Sequence, residues 1–258
     1  MPAFDEEYFE WIDLLESVHD AGDAFVLVEV GAGYGRWAAR GVCAARQKGV
    51  PRTKAILVEA DPLHARFARE HMSLNGLDPA DLFLYETTVS ARKETTLFAV
   101  EAPKGFLPEG ATWYGQAILG RLGEGHLQPT GVSYFGKPLF RRRDGWGVIE
   151  VGSMTLAEAL AGQELIDLVD MDIQGAEAEV IETSADCLNS KVKRLHIGTH
   201  GCSIEDRLRR ALTAHGWTCL WDYPCQAETE TSYGRVRFND GVQSWINPRL
   251  HASSLRAS

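Results

Sequence analysis

The sequence has few of the features that mark secreted, zinc-binding or membrane-spanning proteins. Its five cysteines are an odd number without a Cys-x-x-Cys pair, so their spacing predicts neither a zinc site nor a disulfide framework. No apolar run approaches the about 18 residues of a membrane-spanning helix. The first residues, MPAFDEEYFEW, are acidic where a signal peptide would be basic. We therefore expect reduced thiols, no membrane partner and a cytoplasmic location.

Positively charged residues are also few. The chain has 26 Lys and Arg residues but 36 Asp and Glu residues, so its formal net charge is −10. Such a surface repels phosphate backbones, which argues against a nucleic-acid partner and favours a neutral or weakly charged small molecule. The 258 residues suffice for one large domain with a buried core. We predict a single domain over 1–258, with an N-terminal helix in 1–22, an insertion or lid in 101–152 and C-terminal strands in 216–258.

Strand-like and helix-like segments alternate along the chain. Phe25–Val30, Ala55–Val58, Ile166–Ile173 and Val192–Thr199 are apolar runs typical of strands buried on both faces of a parallel sheet, and a helical pattern follows each of them. This alternation predicts an α/β fold with a doubly wound, mostly parallel sheet. Ligands of such sheets bind beyond the carboxyl ends of the strands.

Finer patterns predict local details between the second and third strands. Asp61 is expected to cap a helix, and Leu63, Phe67 and Leu74 are expected to face the core from that helix. The segment Leu82–Val89 is predicted to be one strand.

A glycine-rich turn follows the first predicted strand. Glu29, Gly31, Gly33 and Gly35 form the pattern ExGxGxG, and glycine lets the backbone pass close to a bound ligand. Glu59 ends the next strand, where a carboxylate can accept hydrogen bonds from both hydroxyls of a ribose. Together these residues predict a site for a nucleotide-containing cofactor.

The turn departs from the dinucleotide fingerprint GxGxxG, because Arg36 stands where a small third residue is needed. The sequence also has no Tyr-x-x-x-Lys pair. A nicotinamide-dependent oxidoreductase is therefore the less favoured alternative. A binding module without catalysis, and a glycine turn that only joins a strand to a helix, are further alternatives.

The phrase DLVDMDIQGAEAEVI at 167–181 resembles the FkbM family of S-adenosylmethionine-dependent methyltransferases, as do VEVGAGYGRWA, LVEADP, YETTVS and VIEVGSMTLAEAL. The likeness covers most of the chain outside 101–147, although Gln174 stands where the family usually has an acidic residue. The resemblance implies a class I methyltransferase fold with a seven-stranded sheet. It also implies O-methylation, often of a hydroxyl on a sugar, a glycan or a glycosylated secondary metabolite.

The same resemblance implies the cofactor contacts. The glycines of the turn would flank the methionine part of S-adenosylmethionine, the acidic strand end would hold the ribose, and the segment near residue 89 would border the adenine. Asp172 would lie beside the methionine end and the transferred methyl group. The cofactor residues expected in this way are Glu29, Gly31, Gly33, Gly35, Glu59, Thr88, Val89, Ser90 and Asp172.

Catalysis of O-methylation needs a group that takes the hydroxyl proton during attack. His200 follows the Val192–Thr199 strand at the same predicted sheet edge as Asp172, so we expect His200 to be the base and Asp172 to orient it. A divalent metal held by Asp172, His200 and Glu177 is the alternative. A His200 that only packs or caps the next turn is a third interpretation, and His196 is expected to pack within its strand.

The predicted insertion is rich in aromatic and basic residues. Its aromatic side chains could stack on a sugar or planar metabolite, or form a small satellite core. Its three consecutive arginines could bind an anionic group or form a solvated turn. The role of His126 is open. These residues are Trp113, Tyr114, Tyr134, Phe135, Trp146 and Arg141, Arg142 and Arg143.

Overall fold

The structure is a computed structural model that describes residues 4–101, 117–120 and 127–254. The helices are α1 (Glu7–Asp20), α2 (Arg36–Lys48), α3 (Pro62–Leu74), α4 (Leu156–Ala159), α5 (Glu177–Lys191), α6 (Cys202–Ala214) and α7 (Pro248–Ser254). The strands are β1 (Ala24–Val30), β2 (Arg52–Val58), β3 (Leu82–Tyr85), β4 (Thr88–Val89), β5 (Thr95–Glu101), β6 (Ile118–Gly120), β7 (Gln128–Tyr134), β8 (Lys137–Arg141), β9 (Gly147–Met154), β10 (Ile166–Met171), β11 (Val192–Thr199), β12 (Thr218–Tyr223), β13 (Ala227–Thr231), β14 (Gly234–Phe238) and β15 (Gly241–Ile246).

Seven of these strands form the central sheet, in the order β12-β15-β11-β10-β1-β2-β3. Strand β15 runs antiparallel to both of its neighbours, and the other pairs are parallel. The prediction of an α/β fold with a mostly parallel seven-stranded sheet is confirmed. The carboxyl ends of β1, β2, β10 and β11 therefore meet at one edge.

Helices cover both faces of the central sheet. Leu27 of β1 belongs to a buried cluster with Leu14 of α1 and Trp37 of α2, whereas the adjacent Val28 belongs to a second cluster with Val180 of α5. Burying each such side chain contributes about 1.5–3 kcal/mol. Burial on both faces explains why β1 is apolar at consecutive positions.

A second sheet lies beside the first and has the strand order β6-β5-β9-β8-β7, with β4 paired to β9. Its apolar side chains, including Phe98, Leu139 and Ile149, form a separate cluster that also contains Ala60. Ala60 directly follows the acidic end of β2, so this sheet packs beside the carboxyl edge of the central sheet.

Two local predictions were wrong. Leu82–Val89 is two strands, because β3 ends at Tyr85 in the central sheet and β4 joins the second sheet. The second wrong prediction concerns Leu74, which was expected to face the core from α3 but is 79% exposed. The inward face of α3 instead carries small residues such as Ala65 and Ala68, which allow the helix to pack closely.

C-terminal strands were expected in 216–258, but the position of β15 within that range was not predicted, because this strand carries polar residues at buried positions. Gln243 and Ser244 are fully buried in the centre of this strand. The Gln243 side chain donates to the carbonyl oxygen of Glu205 at 3.1 Å, and the Ser244 hydroxyl donates to Asp13 at 2.6 Å. These long-range partners offset the cost of burying polar groups, and local periodicity does not show them. None of the helices in the described ranges combines the length and the hydropathy that a bilayer crossing demands.

Candidate active site

The glycine turn between β1 and α2 brings the backbone close to two neighbouring segments. Gly31, Gly33 and Gly35 have φ angles of 81°, 55° and 73°, in the left-handed region that favours glycine. A Cβ on Gly31 would lie 1.9 Å from the carbonyl oxygen of Asp172, and one on Gly35 would lie 2.6 Å from Cδ2 of Leu57. A Cβ on Gly33 would meet nothing within 4 Å, because Gly33 borders an open cavity.

This cavity has a volume of about 630 Å³ and lies at the carboxyl edge of the central sheet. Most of its charged lining residues are acidic, and Arg36 is the one Lys or Arg that lines it among the described residues. Such a wall favours a ligand with positive charge. The expected cofactor residues that line the cavity are Glu29, Gly31, Gly33, Glu59, Thr88, Val89 and Asp172.

The other two expected cofactor residues do not line the cavity. Gly35 packs against Leu57 of β2, and the Ser90 hydroxyl donates to the carbonyl oxygen of Arg92 at 2.5 Å. Thr87, which precedes the predicted segment, lines the cavity instead. The chain turns away after Val89 because Ser90 bonds back to β9, through its backbone N–H and the carbonyl oxygen of Met154.

The carboxyl group of Glu59 is held by the backbone beside the cavity. It accepts hydrogen bonds from the N–H of Gly33 at 2.6 Å and from the N–H of Asp61 at 2.7 Å. Burial raises the pKa of Glu59 to about 8, although these two hydrogen bonds favour the ionised form. Each carboxyl oxygen has a second lone pair, so Glu59 can still accept a hydrogen bond from a ligand hydroxyl.

Glu29 occupies the N-terminus of α2. Its carboxyl group accepts hydrogen bonds from the N–H of Ala38 at 2.7 Å and from that of Trp37 at 3.3 Å. Burial and the charge of Asp170 raise the pKa of Glu29 to about 8. In dinucleotide-binding folds the corresponding helix N-terminus holds a pyrophosphate. In this protein the carboxyl group of Glu29 occupies the corresponding position at the N-terminus of α2.

The predicted pair Asp172 and His200 is brought together at the same sheet edge. His200 Nε2 lies 3.4 Å from Asp172 Oδ1, and its Nδ1 lies 2.8 Å from Oε1 of the fully buried Glu177. Gln174 donates its amide to Asp172 at 3.0 Å. Asp240 Oδ1 lies 3.7 Å from His200 Nε2, and sequence analysis missed this residue. Its only local indication was an Asp-Gly turn before β15.

The charge state of His200 differs from the one expected of a base. Burial alone would lower the pKa of His200, but the hydrogen bond to Glu177 and the surrounding carboxylates raise it to about 9. Without a ligand the imidazole is therefore protonated at neutral pH. His200 itself does not line the cavity, whereas Asp172 and Asp240 do.

A second polar group lies under α1 on the same cavity wall. The carboxyl groups of Glu10 and Asp170 share a hydrogen bond. Burial raises the pKa of Asp170 to about 6 and that of Glu10 well above its usual value. His196 lies 2.7 Å from Asp13, in agreement with its expected packing role. Asp170 was missed as a site residue, although it lies two positions before Asp172 and so on the same face of the strand.

Two of the described aromatic residues of the predicted insertion, Tyr134 and Trp146, pack within the second sheet. Trp146 is buried, and Tyr134 packs against the cluster of that sheet and donates its hydroxyl to Asp61 at 2.9 Å. Phe135 is half-exposed, with a φ of 48°. Trp113, Tyr114 and His126 lie outside the described residues.

The arginine run forms a polar turn between β8 and β9. Arg141 donates to the carbonyl oxygen of Gly145 at 3.0 Å, and Arg142 donates to Asp144 at 2.9 Å. Arg143 is exposed in the same turn. These contacts agree with the solvated-turn interpretation.

Comparisons with known proteins give one sequence relative and several structures of related shape. No family model matches the chain. A Jannaschia sp. (strain CCS1) protein named "Putative methyltransferase" is 29% identical over 242 residues, which cover 93% of this chain and 79% of that protein. This name agrees with the enzyme class predicted from the sequence.

Two solved structures illustrate the likeness of shape. Methyltransferase FkbM from Methylobacillus flagellatus KT has a TM-score of 0.47 at 8% identity, covering 87% of this chain and 44% of that chain. M. capricolum TrmK, solved with S-adenosyl-homocysteine, has a TM-score of 0.43 at 8% identity, covering 91% of this chain and 67% of that chain.

Proposed function

We propose that this protein is an S-adenosylmethionine-dependent methyltransferase of the FkbM type that methylates a hydroxyl of a sugar, a glycan or a glycosylated secondary metabolite. The choice of cofactor rests on one observation. Glu29 caps the N-terminus of α2 by accepting hydrogen bonds from the N–H groups of Ala38 and Trp37. A pyrophosphate would compete with an acidic side chain for these N–H groups. The cap therefore supports a methyl donor over a nicotinamide dinucleotide.

The residues around the cavity fit S-adenosylmethionine. Gly33 leaves open space at the turn, Glu59 offers acceptors for ribose hydroxyls, and Thr88 and Val89 line the wall proposed for the adenine. The acidic wall complements a sulfonium charge, and a nearby cation would favour ionisation of acids such as Glu29 whose pKa burial raises. When bound, the cofactor supplies an electrophilic methyl group, and its sulfur keeps the electron pair of the broken carbon–sulfur bond.

Transfer to a hydroxyl requires a proton acceptor beside the acceptor oxygen. The oxygen forms its new bond to the methyl carbon while its proton leaves. We place this proton on Asp172, which lines the cavity, and assign His200 as a positioning residue whose Nε2 lies 3.4 Å from Asp172 Oδ1. This reverses the roles expected from the sequence, because His200 is already protonated at neutral pH.

The acidic wall also supports the choice of acceptor. Carboxylates such as Asp172 and Asp240 repel phosphorylated or carboxylated substrates, whereas a neutral polyol experiences no such repulsion. The MDIQGAE phrase and its resemblance to the FkbM family favour a sugar hydroxyl among neutral acceptors.

Calorimetry with S-adenosylmethionine, S-adenosyl-homocysteine and NAD⁺ tests the cofactor, and mass spectrometry of glycans incubated with enzyme and methyl donor tests the acceptor. We expect binding of both sulfur compounds, no binding of NAD⁺, and a mass gain of one methylene unit in a neutral glycan. Glu59→Gln should weaken binding of S-adenosyl-homocysteine by about tenfold, because a buried hydrogen bond to the ribose is lost. Asp206→Asn, on the exposed surface of α6, is the matched control. Binding of NAD⁺ without the sulfur compounds would overturn the proposal.

A further inference from the structure

We infer that Asp172, His200 and Asp240 form a binding site for a divalent cation such as Mg²⁺ or Mn²⁺ at the edge of the cavity. One ligand atom from each residue lies within 4.8 Å of the other two. Carboxylate oxygens suit these hard cations, and the imidazole of His200, which releases its Nε2 proton to solvent when the cation binds, completes a three-residue set that leaves further positions open.

The imidazole of His200 is oriented by a carboxylate on one ring nitrogen, as is common for histidines that bind metals. Its Nδ1 lies 2.8 Å from Glu177, whose carboxylate is held in turn by the backbone N–H of Gly175 at 3.0 Å. In many metal sites a carboxylate on one ring nitrogen orients the other nitrogen toward the metal. Glu177 was expected as a ligand in the metal alternative. Its Oε1 has this supporting role instead, and its Oε2 is buried without a hydrogen-bond partner among the described residues.

The other ring nitrogen of His200 has no hydrogen bond. Nε2 is buried, and no described residue satisfies it. Its nearest carboxylate oxygens, on Asp172 and Asp240, lie at 3.4 and 3.7 Å. A buried polar atom without a partner is costly, and a cation between these three groups would satisfy it.

The two aspartates of the inferred cation site come from different elements, and their carboxylates are accessible to solvent. Asp172 follows β10 and Asp240 precedes β15, and about half of each side chain is exposed. Both line the cavity, so a cation held by them would be open to a substrate oxygen. Arg36 is engaged with Glu7 at 2.7 Å, so it does not neutralise these aspartates.

Two other groups of potential metal ligands among the described residues are already satisfied internally. Glu205, which lies between Cys202 and Cys225, accepts from the Thr199 hydroxyl and from the N–H of Cys225. In the group of Glu10, Asp170 and His196, the two carboxyls share a hydrogen bond and the histidine is bonded to Asp13.

The catalytic use of this site rests on the proposed function. A bound cation would coordinate the acceptor hydroxyl and lower its pKa, and the hydroxyl proton would pass to solvent water at the open edge. Asp172 would then be a ligand rather than the proton acceptor. The oxygen forms its bond to the methyl carbon, and the cation keeps its oxidation state throughout.

Electron paramagnetic resonance of Mn²⁺ added to the chelator-treated full chain tests the site without requiring activity. We expect one Mn²⁺ per chain, and a loss of affinity of at least about tenfold in Asp240→Asn and in His200→Gln. Asp206→Asn should bind Mn²⁺ like the unmodified chain. Calorimetry with S-adenosyl-homocysteine and circular dichroism on the same samples identify variants that fail to fold, and Asp240→Ser then replaces Asp240→Asn.

The outcomes separate the two proposals. If the unmodified chain binds S-adenosyl-homocysteine but not Mn²⁺, the cation site alone is overturned. The cation site is also overturned if both Asp240→Asn and His200→Gln still bind Mn²⁺ like the unmodified chain. Mn²⁺ binding lost in both variants supports the site even if S-adenosyl-homocysteine does not bind, a result that would overturn the proposed function instead.

Discussion

Glu29 accepts a hydrogen bond from the backbone N–H of Ala38 at 2.7 Å, so the strand that leads into the glycine turn also caps the helix that leaves it. Both residues are buried. The cap joins β1 to α2 across the turn and places an acidic group where dinucleotide-binding proteins hold a phosphate. This one contact therefore affects both the stability of the turn and the choice of cofactor.

Removing the cap should destabilise the fold. In Glu29→Ala the N–H groups of Trp37 and Ala38 lose their acceptor in a buried position, which should cost about 2 kcal/mol of unfolding free energy. Urea denaturation measures the change. Glu29→Gln, which keeps one acceptor oxygen, should lose less. Equal stability of Glu29→Ala and the unmodified chain would contradict the assignment of the cap.

The glycines of the turn should respond differently to alanine. Gly31→Ala places a Cβ 1.9 Å from a backbone oxygen of Asp172, so the backbone must shift and the loss should exceed about 3 kcal/mol. Gly33→Ala meets no atom within 4 Å and should cost about 1 kcal/mol through its left-handed backbone alone. Gly33→Ala should remain folded yet bind S-adenosyl-homocysteine more weakly, because the methyl group enters the cavity. Thermal unfolding and calorimetry together test this contrast.

Stability should fall as the pH rises from about 5 to about 8, partly because of Glu59. Its pKa of about 8 in the folded chain is raised above the unfolded value of 4.5, so in this range the folded state holds a proton that the unfolded state releases. Each such group lowers the unfolding free energy by about 1.4 kcal/mol per pH unit between these two values. Asp61 and His64 lie beside Glu59, and burial also raises the pKa of Asp61. Glu59→Gln should therefore reduce the slope of unfolding free energy against pH, and an unchanged slope would show that Glu59 is ionised throughout.

The contact between the two sheets should contribute measurably. Tyr134→Phe removes the hydroxyl that donates to Asp61 at 2.9 Å and should cost about 1 kcal/mol. Denaturation in urea gives the value. The half-exposed Tyr233, whose substitution Tyr233→Phe also removes only a hydroxyl, serves as the control. A loss that is equal in both variants would mean that the bond to Asp61 contributes nothing specific.

Asp172→Asn should remove the carboxylate that acts on the acceptor hydroxyl, either as proton acceptor or as a ligand of the inferred cation, while leaving the cofactor site intact. Turnover on the acceptor found by mass spectrometry should fall by about 10²–10⁴. The affinity for S-adenosyl-homocysteine should change little, because Asp172 contributes its backbone rather than its carboxylate to the glycine turn. Full turnover in this variant would remove Asp172 from proton transfer.

Several elements were predictable because their causes are local. Strand β11 has the predicted bounds Val192–Thr199. Thr155 and Glu158, which have the sequence spacing of a capping box, form its reciprocal hydrogen bonds at the start of α4. Buried parallel strands require continuous apolar runs, and capping requires particular side chains at fixed spacing. The break between β3 and β4 depends instead on pairing with β9, far along the chain.

Local sequence patterns are enough to locate the glycine turn, the acidic strand ends at Glu29 and Glu59, and Asp172 beyond a buried strand. The contacts that these groups make depend on how distant segments pack together. Strand β15 enters the sheet between β11 and β12 and thereby brings Asp240 to His200, while α1 brings Glu10 to Asp170. The periodicity of apolar residues shows which face of a helix or strand is buried. Which distant strands and helices contact each other depends on side-chain packing and on the hydrogen bonds of buried polar groups. The same distant contacts keep His200 protonated, so its charge was settled only when the fold assembled its carboxylate neighbours.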